Sequence, residues 1–248
     1  MNDQIFETVV TTVSREGRPH VAPLGVRYRD DEVVLMPFRP STTLDNIVAT
    51  GHAVLNIVVD TRVFAGCVTG RKTWPTVPAE FVPGVRLACA LGHVELRLES
   101  QTDDPQRPVL LMGRVHECQH APFVGFNRAQ AAVIEGAVLV SRLHMLPRDK
   151  IDSEMRYLQI AVDKTAGPAE QEAWQWLNEA VANFRVEGNL NFGSMHWRLA
   201  HTLTPTLSPA SGREGDGSLS PVPGGEGWGE GANVSQAGLR RQSGRKRA

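Results

Sequence analysis

The chain opens with strand-like patterning. Residues 5–13 are rich in β-branched side chains, and the Arg15-Glu16-Gly17-Arg18-Pro19 cluster that follows has turn composition. Residues 20–28 predict a second strand, interrupted by Pro23 and Gly25, and Arg29-Asp30-Asp31 turns the chain into a third over 32–36. Three strands joined by short turns predict an antiparallel meander. The period then becomes helical. Ser41-Thr42-Thr43 stands at a helix start, Leu44, Ile47 and Val48 repeat at helical spacing, and Gly51 stops the run. A strand over 52–59, a short helix over 61–68 and a proline-bearing loop over 74–83 follow. Strands over 86–99 and over 109–115, the latter extending toward His120, complete a β module of about 120 residues.

From Asn127 the period is helical. Asn127 caps an apolar helix reaching about Leu143, and Pro147 breaks it. Ile151, Met155, Leu158 and Val162 form one apolar stripe of a second helix. Gly167-Pro168 ends it and starts a third, with Pro168 suited to a first turn and Trp174, Leu177, Val181 and Phe184 facing inward. After Leu199 the patterning is lost. A Leu-Ser-Pro-x-x-Gly-x-Glu-Gly unit occurs at 207–215 and again at 219–227, too short and polar to build a core. The basic Arg240-Arg241 and Arg245-Lys246-Arg247 end reads as a solvated tail without function.

A net charge of −1 offers no global field for nucleic acid or an anionic membrane. Three cysteines, Cys67, Cys89 and Cys118, are an odd number at unpatterned spacing, which suits a reducing compartment. With no basic-then-apolar leader and no apolar run of about 18 residues, the expectation is a cytoplasmic protein.

The chemistry-bearing stretch is Phe38-Arg39-Pro40-Ser41-Thr42-Thr43-Leu44-Asp45-Asn46. Free amides at a helix start carry partial positive charge and suit a phosphate, to which Arg39, Ser41 and Thr43 can add bonds. The same residues also suffice as a plain helix cap. His116, Cys118 and His120 alternate and share a strand face, but their spacing of about 6.5–7 Å is awkward for one tetrahedral ion, and no metal is expected. His93 reads as a structural strand residue. There is no Gly-x-Ser-x-Gly elbow and no Gly-x-Gly-x-x-Gly after a strand, so neither a serine nucleophile nor a Rossmann domain is indicated.

Ser41-Thr42-Thr43-Leu44-Asp45-Asn46-Ile47, then Ala49-Thr50-Gly51-His52-Ala53-Val54-Leu55-Asn56, resembles the segment of flavin-reductase-like split-barrel proteins that reads Lys-Asp-Thr-Leu-x-Asn-Ile and, further on, Thr-Gly-x-Phe-Val-Val-Asn. Thr43 and Asn46 match; Ser41 stands in place of the lysine, with Arg39 nearby to replace the charge. More specifically, residues 1–190 resemble the domain-of-unknown-function family 447. The resemblance is carried by Arg18-Pro19-His20-Val21-Ala22-Pro23-Leu24-Gly25-Val26, Phe126-Asn127-Arg128-Ala129-Gln130-Ala131-Ala132-Val133 and Val162-Asp163-Lys164-Thr165-Ala166-Gly167-Pro168.

The resemblance implies an α+β, mainly β, fold: an antiparallel split β-barrel over 1–125 and a helical C-terminal subdomain over 126–198; the composition beyond them implies a disordered low-complexity tail over 199–248. It implies FMN as cofactor, with Arg39, Ser41, Thr42, Thr43 and Asn46 at the phosphate and the strand through His20, Val21, Pro23 and Gly25 beside the ring. It further implies a homodimer, a small-molecule redox partner or pterin, and a link to tetrahydromethanopterin and one-carbon metabolism. No catalytic residue is assigned. The alternative is a non-enzymatic dimeric binder of a pterin, a deazaflavin or haem, or a scaffold in such a pathway.

Overall fold

Alternation of side chains along eight strands builds the molecule, and the computed structural model describes it over residues 4–199, with side chains through Phe184. Strands β1 (Phe6–Val13), β2 (Pro19–Arg29) and β3 (Glu32–Leu35) form the expected meander. Its first turn is made possible by Gly17 at φ 76°, a left-handed conformation that a side chain would strain. Helix α1 (Thr42–Thr50) and strand β4 (His52–Ile57) follow, then helix α2 (Arg62–Val68), strands β5 (Thr76–Pro78) and β6 (Val85–Leu87), and the long strands β7 (Gly92–Thr102) and β8 (Val109–Gln119). Helices α3 (Arg128–Ser141), α4 (Arg148–Thr165) and α5 (Pro168–Leu199) complete the chain. Six strands close into an antiparallel barrel in the order β1-β2-β3-β8-β7-β4. The expected tail over 199–248 and its basic end lie outside the described residues, apart from Leu199 at the end of α5. Among the described residues no helix is long and apolar enough to cross a membrane.

Two cores share the barrel wall. Inward-facing side chains, among them Val10, Val26, Leu35, Leu55, Leu96 and Met112, fill the barrel with Leu44 and Ile47 of α1. The alternate positions on the same strands face outward. Val9 and Val21 thereby join Phe64 of α2, Val133 of α3, and Trp174 and Leu177 of α5 in a second core. Strand β1 is therefore buried on both faces. Asn127 caps α3 as expected, accepting from the amides of Ala129 and Gln130 at 2.7 and 3.3 Å, while its own amide donates to Thr165 O at the end of α4. Gly136 allows α3 to approach α5: a Cβ there would stand 2.8 Å from the Trp174 ring and 3.0 Å from Leu177.

One segment departs from the sequence pattern. Residues 74–83, expected as loop, contain β5, and the strand expected over 86–99 is two strands, β6 and β7, separated by a turn. The cause is tertiary. Buried polar side chains on the outer face of the barrel hold this excursion in place: Asn56 Oδ1 accepts from Leu87 N at 2.7 Å, and the Thr11 hydroxyl donates to Val85 O. Glu95, also on that face, accepts from the amides of Glu80, Phe81 and Val82 at 2.7, 2.7 and 2.8 Å.

Candidate functional site

The barrel is open along part of β2. Pairing with β3 begins at Val26, so residues 19–25 pair only with β1. A proline is tolerated where a strand lacks a second partner, because its missing N–H costs no ladder bond there, and Pro23 occupies this half. The chain leaves β3 at Leu35, passes Met36 and Phe38, and enters α1 through Ser41. Ser41 Oγ accepts from Leu44 N at 3.3 Å and Ser41 O from Asp45 N at 3.0 Å. This leaves the first-turn amides of Thr42 and Thr43 for an external acceptor. Gly51, at φ 77°, ends the helix by donating to Ile47 O.

The structure distributes the sequence-predicted residues unevenly. Ser41 and the exposed Thr42 stand at the helix mouth, whereas Thr43 is buried. Asn46 faces the barrel and donates to Thr12 Oγ1 at 2.9 Å, pinning α1 to β1. The Arg39 guanidinium binds Asp103 Oδ1 at 2.6 Å and Asp104 O at 3.2 Å on the β7–β8 loop. On β2, Val21 is buried beneath α2, whose Cys67 thiol donates to Val21 O at 3.6 Å. His20 is half-buried, and burial, aided by Lys72, lowers its pKa below the usual imidazole range. Pro23 lies opposite Val9, and the space a Gly25 side chain would need is taken by Ile5, 2.7 Å away.

Two cations missed by the sequence reading meet at Met36, on the stretch between β3 and α1. Arg27 donates to Met36 Sδ at 3.2 Å and Arg107 to Met36 O at 3.0 Å, so both side chains reach one residue. Arg107 also lies 4.6 Å from the centre of the exposed Phe38 ring. Burial, and then the neighbouring Arg27, lowers the Arg107 pKa. These residues are 80 positions apart, and only the β2-β3-β8 order brings them together.

A second polar cluster lies on the outer face of β7 and β8. His93 is buried between Glu95, with Nε2 3.3 Å from Oε1, and His120, with Nδ1 2.9 Å from its Nε2. Burial opposes ionisation of Glu95, but three backbone amides, and then His93, outweigh it and hold its pKa below the usual carboxylate range. His116, directly opposite Glu95, joins this group. Cys118 instead stands beside His120, with 4.0 Å from Sγ to Nδ1. The alternation His93-x-Glu95 was the available sequence signal. The expected grouping of His116, Cys118 and His120 on one face misses that β7 supplies two members.

Away from the barrel, a groove of about 400 Å³ between α4 and α5 is lined by Gln159, Val162, Trp174 and Asn178. Its polar lining is largely paired internally, Trp174 Nε1 donating to Gln159 Oε1 at 2.6 Å and Asn178 Nδ2 to Trp174 O at 3.0 Å. The start of α1 has the stronger chemical case, because it offers first-turn amides and the Ser41 and Thr42 hydroxyls just after the Met36–Arg39 stretch that carries the cations.

Residues 6–121 match the family model described as protein of unknown function (DUF447) N-terminal domain, and residues 127–179 match the companion DUF447 model. The chain belongs to the DUF447 family. Its fold is similar to that of an FMN-bound DUF447 protein from Methanosarcina mazei, with a TM-score of 0.62 and 21% identity, covering 72% of this chain and 96% of that one. Lesser similarity is found to 2-nitrobenzoate 2-nitroreductase of Pseudomonas fluorescens, with a TM-score of 0.41 and 19% identity over 48% of this chain and 66% of that one. Flavoredoxin of Desulfovibrio vulgaris gives a TM-score of 0.38 and 15% identity over 46% and 69%. No curated protein matches the sequence. Together with the six-stranded closed barrel, the likeness to the Methanosarcina structure shows that this DUF447 chain shares that protein's fold.

Proposed function

We propose that this DUF447 chain binds FMN at the barrel opening and serves as an FMN-dependent oxidoreductase for a small-molecule partner. The observation that carries the reading is the half-paired β2 strand and the α1 start, set in a fold shared with an FMN-bound DUF447 relative. The donors present suit a phosphate monoester: two first-turn amides, the Ser41 and Thr42 hydroxyls, and the Arg27 and Arg107 guanidiniums, with Arg39 nearby. The backbone of residues 20–25 would flank the ring. His20, its pKa lowered by burial and Lys72, would stand there as a neutral imidazole at neutral pH. Bound FMN supplies the electron-carrying chemistry, and the protein contributes binding, orientation and exclusion of competing reactions. A pterin, through the tetrahydromethanopterin link implied by family resemblance, is the substrate class this reading favours. A homodimer is supported by the exposed apolar run Phe123, Val124 and Phe126, at 51%, 92% and 100% exposure, which a second copy would cover.

The test is the absorption spectrum of protein purified without added cofactor, followed by mass analysis of what denaturation releases. Released FMN and an oxidised-flavin spectrum are expected. A colourless protein that also fails to take up added FMN refutes the reading and leaves the pterin-binding or scaffold role.

A further inference from the structure

We infer that His93, Glu95 and His116 form a binding site for a divalent transition-metal ion of the zinc type, on the outer face of the barrel. One ligand atom from each lies within 4.8 Å of the other two. Tetrahedral zinc with bonds of about 2.0–2.2 Å to nitrogen and oxygen separates its ligand atoms by about 3.3–3.6 Å. His93 Nε2 and Glu95 Oε1, at 3.3 Å, already have that separation, which is long for a hydrogen bond and right for two ligands of one ion.

Bond counting points to the same atoms. Glu95 Oε2 accepts from both Phe81 N and Val82 N, while Oε1 accepts only one backbone amide, that of Glu80. Oε1 therefore keeps a lone pair on the His93 side. His93 Nδ1 meets His120 Nε2 at 2.9 Å, so a metal on Nε2 fixes the tautomer that donates from Nδ1 to His120. Outer-shell acceptors of this kind orient metal-bound histidines. His116 supplies the independent observation. Its Nε2 is shielded from solvent and has no hydrogen-bond partner. Burying such a nitrogen without a partner costs free energy that a metal bond would offset. Anchoring of the 80–82 segment explains the burial of Glu95; it does not explain the unpaired nitrogen on the facing strand. The exposed Glu80 carboxylate lies 4.0 Å from His116 Nε2.

The site shares no residue with the proposed flavin site, and the proposal does not rest on that reading. The test uses the full chain, stripped with EDTA and titrated with Co²⁺ by difference spectrum and with Zn²⁺ by competition against a chromophoric chelator. One ion per chain is expected, with tetrahedral cobalt bands, no near-ultraviolet thiolate band, and a higher unfolding temperature on adding Zn²⁺. His116→Ala should weaken binding about 100-fold or more and His120→Ala about tenfold, while His144→Ala leaves it unchanged. Failure of the wild-type chain to take up either ion overturns the proposal. So does a thiolate band, which would indicate Cys118 as ligand, or wild-type affinity in a His116→Ala protein whose metal-free unfolding matches wild type.

Discussion

Replacing Glu95 by glutamine exchanges one fully buried carboxylate oxygen for an NH₂ group and removes the charge. Three backbone amides converge on that carboxylate at 2.7–2.8 Å. If the new amide oxygen keeps Phe81 N and Val82 N, the NH₂ group faces Glu80 N–H, donor against donor; the opposite orientation loses two bonds instead of one. A bond to a charged acceptor contributes about 1.5–3 kcal/mol and a neutral one about 1 kcal/mol, so one bond is lost and two are weakened. Removal of the desolvation cost of the charge offsets part of this, leaving a loss of about 3 kcal/mol. A typical domain has only about 5–15 kcal/mol in total. Urea unfolding followed by tryptophan fluorescence, with EDTA present, should show a lower midpoint at unchanged slope. Amide exchange at residues 80–82 should accelerate. A loss below about 1 kcal/mol, with exchange unchanged, would mean that Glu95 does not hold the segment and would refute the reasoning.

Other outcomes follow from separate parts of the structure. Gly136→Ala should destabilise by about 1–2 kcal/mol in thermal or urea unfolding, because overpacking against Trp174 and Leu177 outweighs the helix-propensity gain; a stabilised variant would contradict the close approach. Burial pushes the Cys67 thiol up to about 11, so peptide-resolved alkylation at Cys67 should be slow at pH 8 and rise only as pH approaches that value; rapid labelling at pH 8 would show the thiol to be accessible. If the cations near α1 serve the phosphate, the double variant Arg39→Ala/Arg107→Ala should lower FMN affinity about tenfold or more and riboflavin affinity less than about threefold, measured by fluorescence quenching; equal losses would remove the phosphate assignment.

Much of the fold was legible because its signals are local. Ser41 and Asn127 cap helices through bonds within three residues, Gly51 ends one through its own backbone conformation, and the Ile151 to Val162 stripe meets a core at helical spacing. The β5–β6 excursion was not legible, because Asn56, Thr11 and Glu95 hold it from strands far away in sequence. The candidate sites divide in the same way. The helix start at Ser41 could be read directly, but that Arg39 binds the β7–β8 loop while Arg27 and Arg107 meet at Met36 depends on strand order. The pairing of Glu95 with His116, and of His93 with Cys118, depends on barrel register.

The layering of the second core bears on how the protein is made. As the chain emerges from the ribosome the barrel strands and α2 are complete by residue 119, yet α2 still awaits its own cover from α3 and α5, with side chains of that core as late as Val181. Synthesis at about 5–20 residues per second leaves the outer side of α2 bare for roughly 3–12 s. A barrel whose covering helix has one side sealed and the other uncovered is a candidate chaperone client during this interval. A gene truncated after the barrel would leave it so permanently, so the two DUF447 segments are expected to be inherited and expressed as one piece.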